Sequence, residues 1–164
     1  MRVDALYDQL AMYDAIIARV ETEISELQQQ IEKNQARIDE LEGFKGQIES
    51  CKGQLQGVNS NISSGQSLTQ TSLSMYSLLG DSNILQDDFG SLKSASGQLQ
   101  NAMNLIINAN EKMDKKMDDF NLEIENLKKI IEDLQAQINS KTIELNNAVI
   151  NRNSVQNTIN NFGY

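Results

Sequence analysis

The sequence predicts an all-α fold in which two long helices pack as an elongated antiparallel hairpin resembling a coiled coil. Apolar residues recur at alternating spacings of three and four over most of the chain, the pattern of a helix that buries one stripe against a partner helix. Proline, which interrupts helices, is absent. Aromatic residues make up only 5% of the chain, which favours a thin helical structure over a thick globular core.

The first predicted helix, arm one, covers residues 3–62. Its apolar stripe has one polar interruption, Asn34, before Leu41. A period of about 3.5 residues predicts left-handed winding around the partner helix. Near Gly43 and Gly46 the apolar pattern slips by one residue, so we expect the stripe to continue through the following residues: Phe44, Ile48, Cys51, Leu55, Val58 and Ile62.

Residues 63–83 are predicted to form the tip of the hairpin, because this stretch is rich in Ser, Asn, Gly and Thr. Several Leu, Met and Tyr residues lie inside it, which favours a short helix packed over the tip. The whole chain, residues 1–164, is interpreted as a single helical domain.

Arm two, residues 84–162, carries an unbroken apolar stripe as far as Ile138. Beyond it the same phase continues to the C-terminus, but the charged residues Lys141 and Arg152 occupy two stripe positions. This weaker end of arm two is compatible with a straight helix or with a C-terminal fold-back.

The clearest polar interruptions of the two stripes are Asn34 and Asn110. A register in which paired residue numbers add up to 144 would place these amides opposite each other, where they could hydrogen-bond and disfavour slipped pairings. That register leaves residues 142–164 without a partner from arm one.

Two groups of residues are candidate partner-binding positions. An unpaired C-terminal segment would expose an apolar stripe, which marks a fold-back or a contact with another chain. A second group lies on the outer face of arm two, where partner binding competes with incidental exposure as the explanation. The C-terminal group is Val155, Ile159 and Phe162, and the outer group is Leu122, Ile143 and Ile150.

Composition argues against several other functions. The net charge of −9 disfavours nucleic acid and anionic membranes as partners, and no apolar run is long enough for membrane insertion. The chain contains no histidine and one cysteine, so no catalytic residue, metal site or cofactor is predicted. The N-terminal residues lack a signal-peptide pattern, which predicts a cytoplasmic protein, or one exported together with a partner.

Three stretches carry a resemblance to a known family: ISELQQQIEKNQARIDELEGFKGQIESCKGQL, the turn LLGDSNILQDDF, and IENLKKIIEDLQAQI. In this order they resemble the YwqH-like, LXG-toxin-associated α-helical proteins, which are relatives of the WXG-motif secretion proteins. The resemblance places the tip motif at Leu78, Gly80 and Phe89. It implies a non-enzymatic targeting factor or chaperone of a Gram-positive bacterium. Such a factor would bind the helical N-terminal region of an LXG toxin, or a second small WXG-like helical protein, for type VIIb secretion.

A second interpretation is a structural coiled-coil spacer or self-assembling scaffold. In that case an exposed apolar stripe would mediate homodimerisation rather than binding to a toxin.

Overall fold

The computed structural model describes residues 3–78 and 86–162, and every one of these residues is α-helical. Helix α1 spans Val3–Leu78 and helix α2 spans Gln86–Phe162. The two helices pack against each other as a hairpin, which confirms the predicted fold class. Asp4 lies in the first turn of α1, where a negative charge interacts favourably with the helix dipole.

Helix α1 continues through residues 63–78, where we expected the tip of the hairpin and a separate short helix. Ser and Thr disfavour helices partly because their hydroxyls compete for backbone hydrogen bonds. Here the hydroxyls are accommodated, because each donates to the carbonyl four residues earlier in the same helix. These bonds are 2.8–3.1 Å long and involve Ser60, Ser64, Ser67, Thr69, Thr71 and Ser74.

Contacts divide the chain into two compact units. Unit 1 comprises Met1–Glu40 and Glu123–Tyr164, and unit 2 comprises Leu41–Leu122. Each unit therefore contains a segment of both helices. Among the residues whose burial is described, eight of the ten buried apolar side chains belong to unit 1, whereas unit 2 contributes Leu41 and Ile106. Unit 1 is thus the better closed of the two helix pairs.

The predicted stripe of α2 is confirmed from Leu92 onward, whereas Phe89, which was predicted to belong to it, is exposed and Leu85 lies outside the described residues. Every stripe position from Leu92 to Ile159 is buried or half-buried, including the charged Lys141 and Arg152. In α1 the stripe is confirmed from Leu6 to Leu41, and Asn34 is half-buried within it. Burial of these stripes is the main source of stability available to a two-helix structure.

Cross-helix contacts determine the register in each unit. In unit 1 the Nε of Arg152 donates to Oδ1 of Asp14 over 2.9 Å, and these residue numbers add up to 166. In unit 2 the ring centroids of Phe44 and Phe120 are 6.1 Å apart, and these numbers add up to 164. Facing positions therefore have numbers that add up to about 165.

The predicted pairing of Asn34 with Asn110 is wrong. The structure places Asn34 in unit 1 and Asn110 in unit 2. The error comes from the helix boundary, because the prediction ended arm one at residue 62 and so centred the turn too early. With α1 ending at Leu78 and α2 beginning at Gln86, the midpoint is residue 82, and paired numbers add up to twice that value, 164.

The corrected register also removes the unpaired C-terminal segment. Helix α2 runs to Phe162 without a fold-back, and its last turns pair with the beginning of α1. Val155 is half-buried and Ile159 is buried, so neither provides the exposed stripe that we expected.

The register can be tested by crosslinking within one chain. In a Cys51→Ser background, Ile31→Cys with Leu134→Cys should form an intramolecular disulfide, because these stripe positions lie at the same level of unit 1. Asn34→Cys with Asn110→Cys is the matched control and should not crosslink intramolecularly. Mass spectrometry after mild oxidation distinguishes the two, and the reverse result would contradict the register.

A candidate protein-binding surface on unit 2

Polar residues occupy one half of the α1 stripe in unit 2. The buried and half-buried positions keep the three-four spacing without the slip that we predicted near Gly43. Ile48, Leu55 and Ile62 fill alternate positions, as expected. The positions between them hold polar residues, all half-buried: Lys45, Lys52, Asn59 and Gln66.

Because the stripe stays in phase, Phe44, Cys51 and Val58 lie outside it. All three are exposed, in contrast to the sequence interpretation that made them stripe residues. They recur every seven residues and therefore lie along one line beside the stripe. Unit 2 consequently buries polar side chains at these stripe positions and leaves the neighbouring apolar side chains on its surface.

The side of unit 2 that carries the polar stripe residues is hydrophilic. Lys52 forms an ion pair with Asp114, and the amide of Gln66 donates to Oε1 of Gln100 over 2.8 Å. An open cavity of about 410 Å³ on this side is lined by Glu49, Lys52, Gly53, Gln56, Asn59 and Asn110. This side offers charges and amides to solvent.

Two amide oxygens on the hydrophilic side lack partners. Oδ1 of Asn59 and Oδ1 of Asn110 are buried and have no hydrogen-bond partner among the described residues. A buried acceptor without a donor lowers stability by about 1–3 kcal/mol. An apolar or hydrogen-bonded side chain at either position would therefore stabilise unit 2.

The opposite side of unit 2, which we call the apolar side, has an open groove of about 520 Å³. Phe44 and Phe120 form its aromatic part, with ring planes inclined by 30°. Nζ of Lys116 lies 5.1 Å from the Phe120 ring centroid, in cation–π range. The lining of this Phe groove is Phe44, Gln47, Ile48, Cys51, Met113 and Phe120.

Next to the Phe groove, the apolar side has a stretch without charge. No residue from Gly53 to Leu78 or from Ser94 to Asn110 is charged, although the chain contains 14 basic and 23 acidic residues. We call these two stretches the charge-free segment. Large apolar residues on its apolar side remain open to solvent, with exposed fractions of 47% for Val58, 70% for Leu68 and 69% for Leu105.

Small residues lie between these side chains. Ala95, Ala102 and Ala109 recur every seven residues along α2 on the apolar side. On α1, a Cβ added to Gly65 would lie 3.7 Å from the side chain of Leu99, an ordinary van der Waals distance. Small side chains beside protruding Leu and Val form ridges and grooves against which another helix can pack closely.

Ion pairs, by contrast, cross the helices on the corresponding face of unit 1. Nζ of Lys141 lies 2.7 Å from Oε2 of Glu23 and 3.0 Å from Oε2 of Glu144. Hydrogen bonding to Lys141 lowers the pKa of the Glu23 carboxyl, and bonding to Glu23 raises the pKa of the Lys141 amine. Arg37 bonds Glu123 in the same way, which raises the pKa of its guanidinium. These pairs explain how a stripe position in unit 1 can hold a lysine.

The predicted outer positions of α2 are open to solvent. Leu122 in unit 2 and Ile143 and Ile150 in unit 1 have exposed fractions of 61%, 63% and 64%. They are available for contact, as the sequence suggested, and their role stays a prediction. Phe162 ends α2, and its side chain lies outside the described residues.

The predicted tip motif is only partly described. Leu78 ends α1 and is almost fully exposed, Phe89 lies in the first turns of α2, and Gly80 lies outside the described residues. Leu78 and Phe89 both line an open depression together with Leu73, Ser74, Ser77 and Lys93. The structure therefore brings two of the three motif residues together.

The described residues contain no group of three Cys, Asp or Glu side chains arranged to hold a metal ion. Neither α1 nor α2 has a segment long and apolar enough to cross a membrane. Comparisons with protein-family models, with curated proteins and with solved structures find no match to this chain. The candidate surface is therefore assigned from its geometry alone.

Sequence reasoning missed the apolar side of unit 2. Two signals could have revealed it. The first is the absence of charge from Gly53 to Gly80, which is visible in the sequence. The second is that Lys45 and Lys52 continue the phase of the stripe, so Phe44 and Cys51 must lie beside it.

The unpartnered amide of Asn110 predicts a stabilising substitution. Asn110→Leu should raise the free energy of unfolding by about 1–3 kcal/mol, since it removes a buried acceptor and adds apolar contact in the stripe. Asn108→Leu, at an exposed position two residues away, is the control and should change stability by less than about 0.5 kcal/mol. Equal effects in urea unfolding would contradict the assignment.

Proposed function

We propose that this protein is a non-enzymatic helical targeting factor or chaperone that binds an α-helix of another protein through the apolar side of unit 2. The observation that carries this proposal is the Phe groove together with the adjoining charge-free segment. Large apolar side chains remain exposed there beside small ones, and no charged residue lies within the charge-free segment. Exposed apolar surface with polar surroundings is typical of protein-binding sites.

The groove has the properties of a site for an amphipathic helix. Its aromatic rings offer a large rigid contact area, and Met113 can adapt its side chain to different ligand shapes. An incoming helix would place apolar residues three and four positions apart between α1 and α2, completing a three-helix arrangement. No general base or metal cluster is needed for this role.

The partner that we propose is the helical N-terminal region of an LXG-type toxin, or a second small WXG-like protein, presented for type VIIb secretion in a Gram-positive bacterium. This part of the proposal rests on the resemblance of the helical stretches and of the turn LLGDSNILQDDF to the LXG-associated proteins. The hairpin fold supports it, since a helical partner can extend such a bundle.

Substitution in the groove tests the proposal. The protein should co-purify with the N-terminal helical region of an LXG toxin encoded beside its gene, and Phe44→Glu should weaken that complex about 30-fold or more. Met12→Glu introduces the same charge at an exposed position of unit 1 and should leave binding unchanged. Affinity can be measured by calorimetry, with circular dichroism to confirm that both variants stay helical.

Three results would contradict the proposal: no LXG toxin gene beside this one, no complex with its product, or equal binding by Phe44→Glu and Met12→Glu. If binding were lost only on substituting Ile143 or Ile150, the contact would lie on the outer face of unit 1 instead.

A further inference from the structure

We propose that in the free protein the apolar side of unit 2 is covered by a second copy of the chain, in an antiparallel dimer whose two-fold axis passes near Ala102. This inference concerns the same surface as the proposed function, because it states what occupies that surface before a helical partner does. It does not require that the partner be a toxin.

Electrostatic repulsion disfavours contact between two copies over most of their surface. Each chain carries a net charge of −9, so two copies repel each other over most of their surface. The charge-free segment is the exception, since it contributes no charge from Gly53–Leu78 or Ser94–Asn110. A highly charged partner helix would bury its charges there without counter-charges, which is costly. A second copy of the charge-free segment avoids both penalties.

The two ends of the apolar side carry opposite charges. On α2, positions seven residues apart lie along the apolar side in the order Asp88, Ala95, Ala102, Ala109, Lys116. Asp88 and Lys116 are thus equally far from Ala102, about 21 Å each at 1.5 Å per residue. Asp88 is exposed, and the side chain of Lys116 is 59% exposed.

A two-fold axis at Ala102 therefore pairs opposite charges twice. Rotation by 180° brings Asp88 of one copy to Lys116 of the other, and the reverse pair forms at the opposite end. A parallel arrangement would instead place Asp88 against Asp88 and Lys116 against Lys116, which is unfavourable. The charge pattern of the chain is complementary to itself only in the antiparallel orientation.

The apolar side is large enough for a stable dimer interface. The distance from Asp88 to Lys116 along α2 is about 42 Å, and two adjacent helices present a strip about 20 Å wide. Such a strip has an area of about 800 Å² per copy, the size of a standard stable interface. Val58, Leu68 and Leu105 protrude from it beside Gly65 and the row of alanines. Protruding and small residues of one copy can thus pack against small and protruding residues of the other.

Sedimentation of the full-length protein tests the dimer. The wild-type chain should sediment as a concentration-dependent dimer, and Ala102→Glu should be monomeric, because it places two carboxylates at the axis. Ala136→Glu is the matched control: it makes the same substitution at an exposed position of α2 in unit 1 and should leave the dimer intact. Unfolding curves confirm that both variants remain folded.

Charge exchange tests the orientation. Lys116→Asp should weaken the dimer about tenfold, since it replaces two attractive contacts with two repulsive ones. Adding Asp88→Lys in the same chain restores both attractions and should recover wild-type affinity. Normal dimerisation by Lys116→Asp, or a double variant that dimerises no better than Lys116→Asp, would overturn the antiparallel arrangement.

Crosslinking gives an independent measure of the same geometry. In a Cys51→Ser background, Ala102→Cys should form an intermolecular disulfide on mild oxidation. A mixture of chains carrying Asp88→Cys and chains carrying Lys116→Cys should crosslink between the two kinds of chain, while Asp88→Cys alone should not. Crosslinking by Asp88→Cys alone would indicate the parallel dimer, and a wild-type monomer at all concentrations would overturn the inference.

These outcomes are separable from those of the proposed function. A dimer that a toxin helix converts to a mixed complex supports both. A monomer that still binds the toxin region through Phe44 overturns only the dimer, whereas a dimer indifferent to helical partners overturns only the targeting role and favours the scaffold.

Discussion

Burial of one apolar stripe per helix is the interaction on which the whole structure depends. A single helix in water gains little from its backbone hydrogen bonds, so contact between the two stripes supplies most of the stability. The three-four spacing brings the stripes together, and the length of each helix determines the register. Once α1 ends at Leu78 and α2 begins at Gln86, facing positions follow with little freedom. The exposed surfaces are then determined by what the stripes leave outside.

The two units use that stripe differently. Unit 1 fills it with Leu, Ile and Val and encloses its charged positions in ion pairs such as Lys141 with Glu23. Unit 2 places Lys, Asn and Gln in alternate positions and leaves Asn59 and Asn110 with unpartnered oxygens. Unit 2 therefore has less apolar contact between its helices than unit 1, and local violations of good packing of this kind are expected at binding sites such as the one proposed here.

The sequence was sufficient for the fold class and for nearly all stripe positions, because a heptad pattern directly reports which side of a helix is buried. It was insufficient for the register. Ser, Asn and Gly between residues 59 and 78 have turn-forming composition, yet these residues are helical, and their hydroxyls donate to carbonyls of the preceding turn. A boundary error of sixteen residues, from 62 to 78, changed the sum of facing residue numbers from 144 to about 165.

The candidate site was harder to predict for a related reason. Val155 and Ile159 looked exposed only because the early turn left them without partners. Phe44, Cys51 and Val58 looked buried because they are apolar, whereas the stripe passes through Lys45 and Lys52 beside them. Residue type alone favours the apolar residue at each step, while the continuous phase of two packed helices selects the lysine. That choice is a tertiary effect, and it produces the apolar side of unit 2.

Unit 1 supplies most of the buried apolar contact of the hairpin, whereas unit 2 is packed less tightly and carries the proposed binding surface. Amide hydrogen exchange measured by mass spectrometry tests this claim most directly. We expect slower exchange in residues 3–40 and 123–162 than in residues 41–78 and 86–122, measured at a protein concentration at which sedimentation shows a monomer. Equal protection of both units, or slower exchange in unit 2, would contradict it.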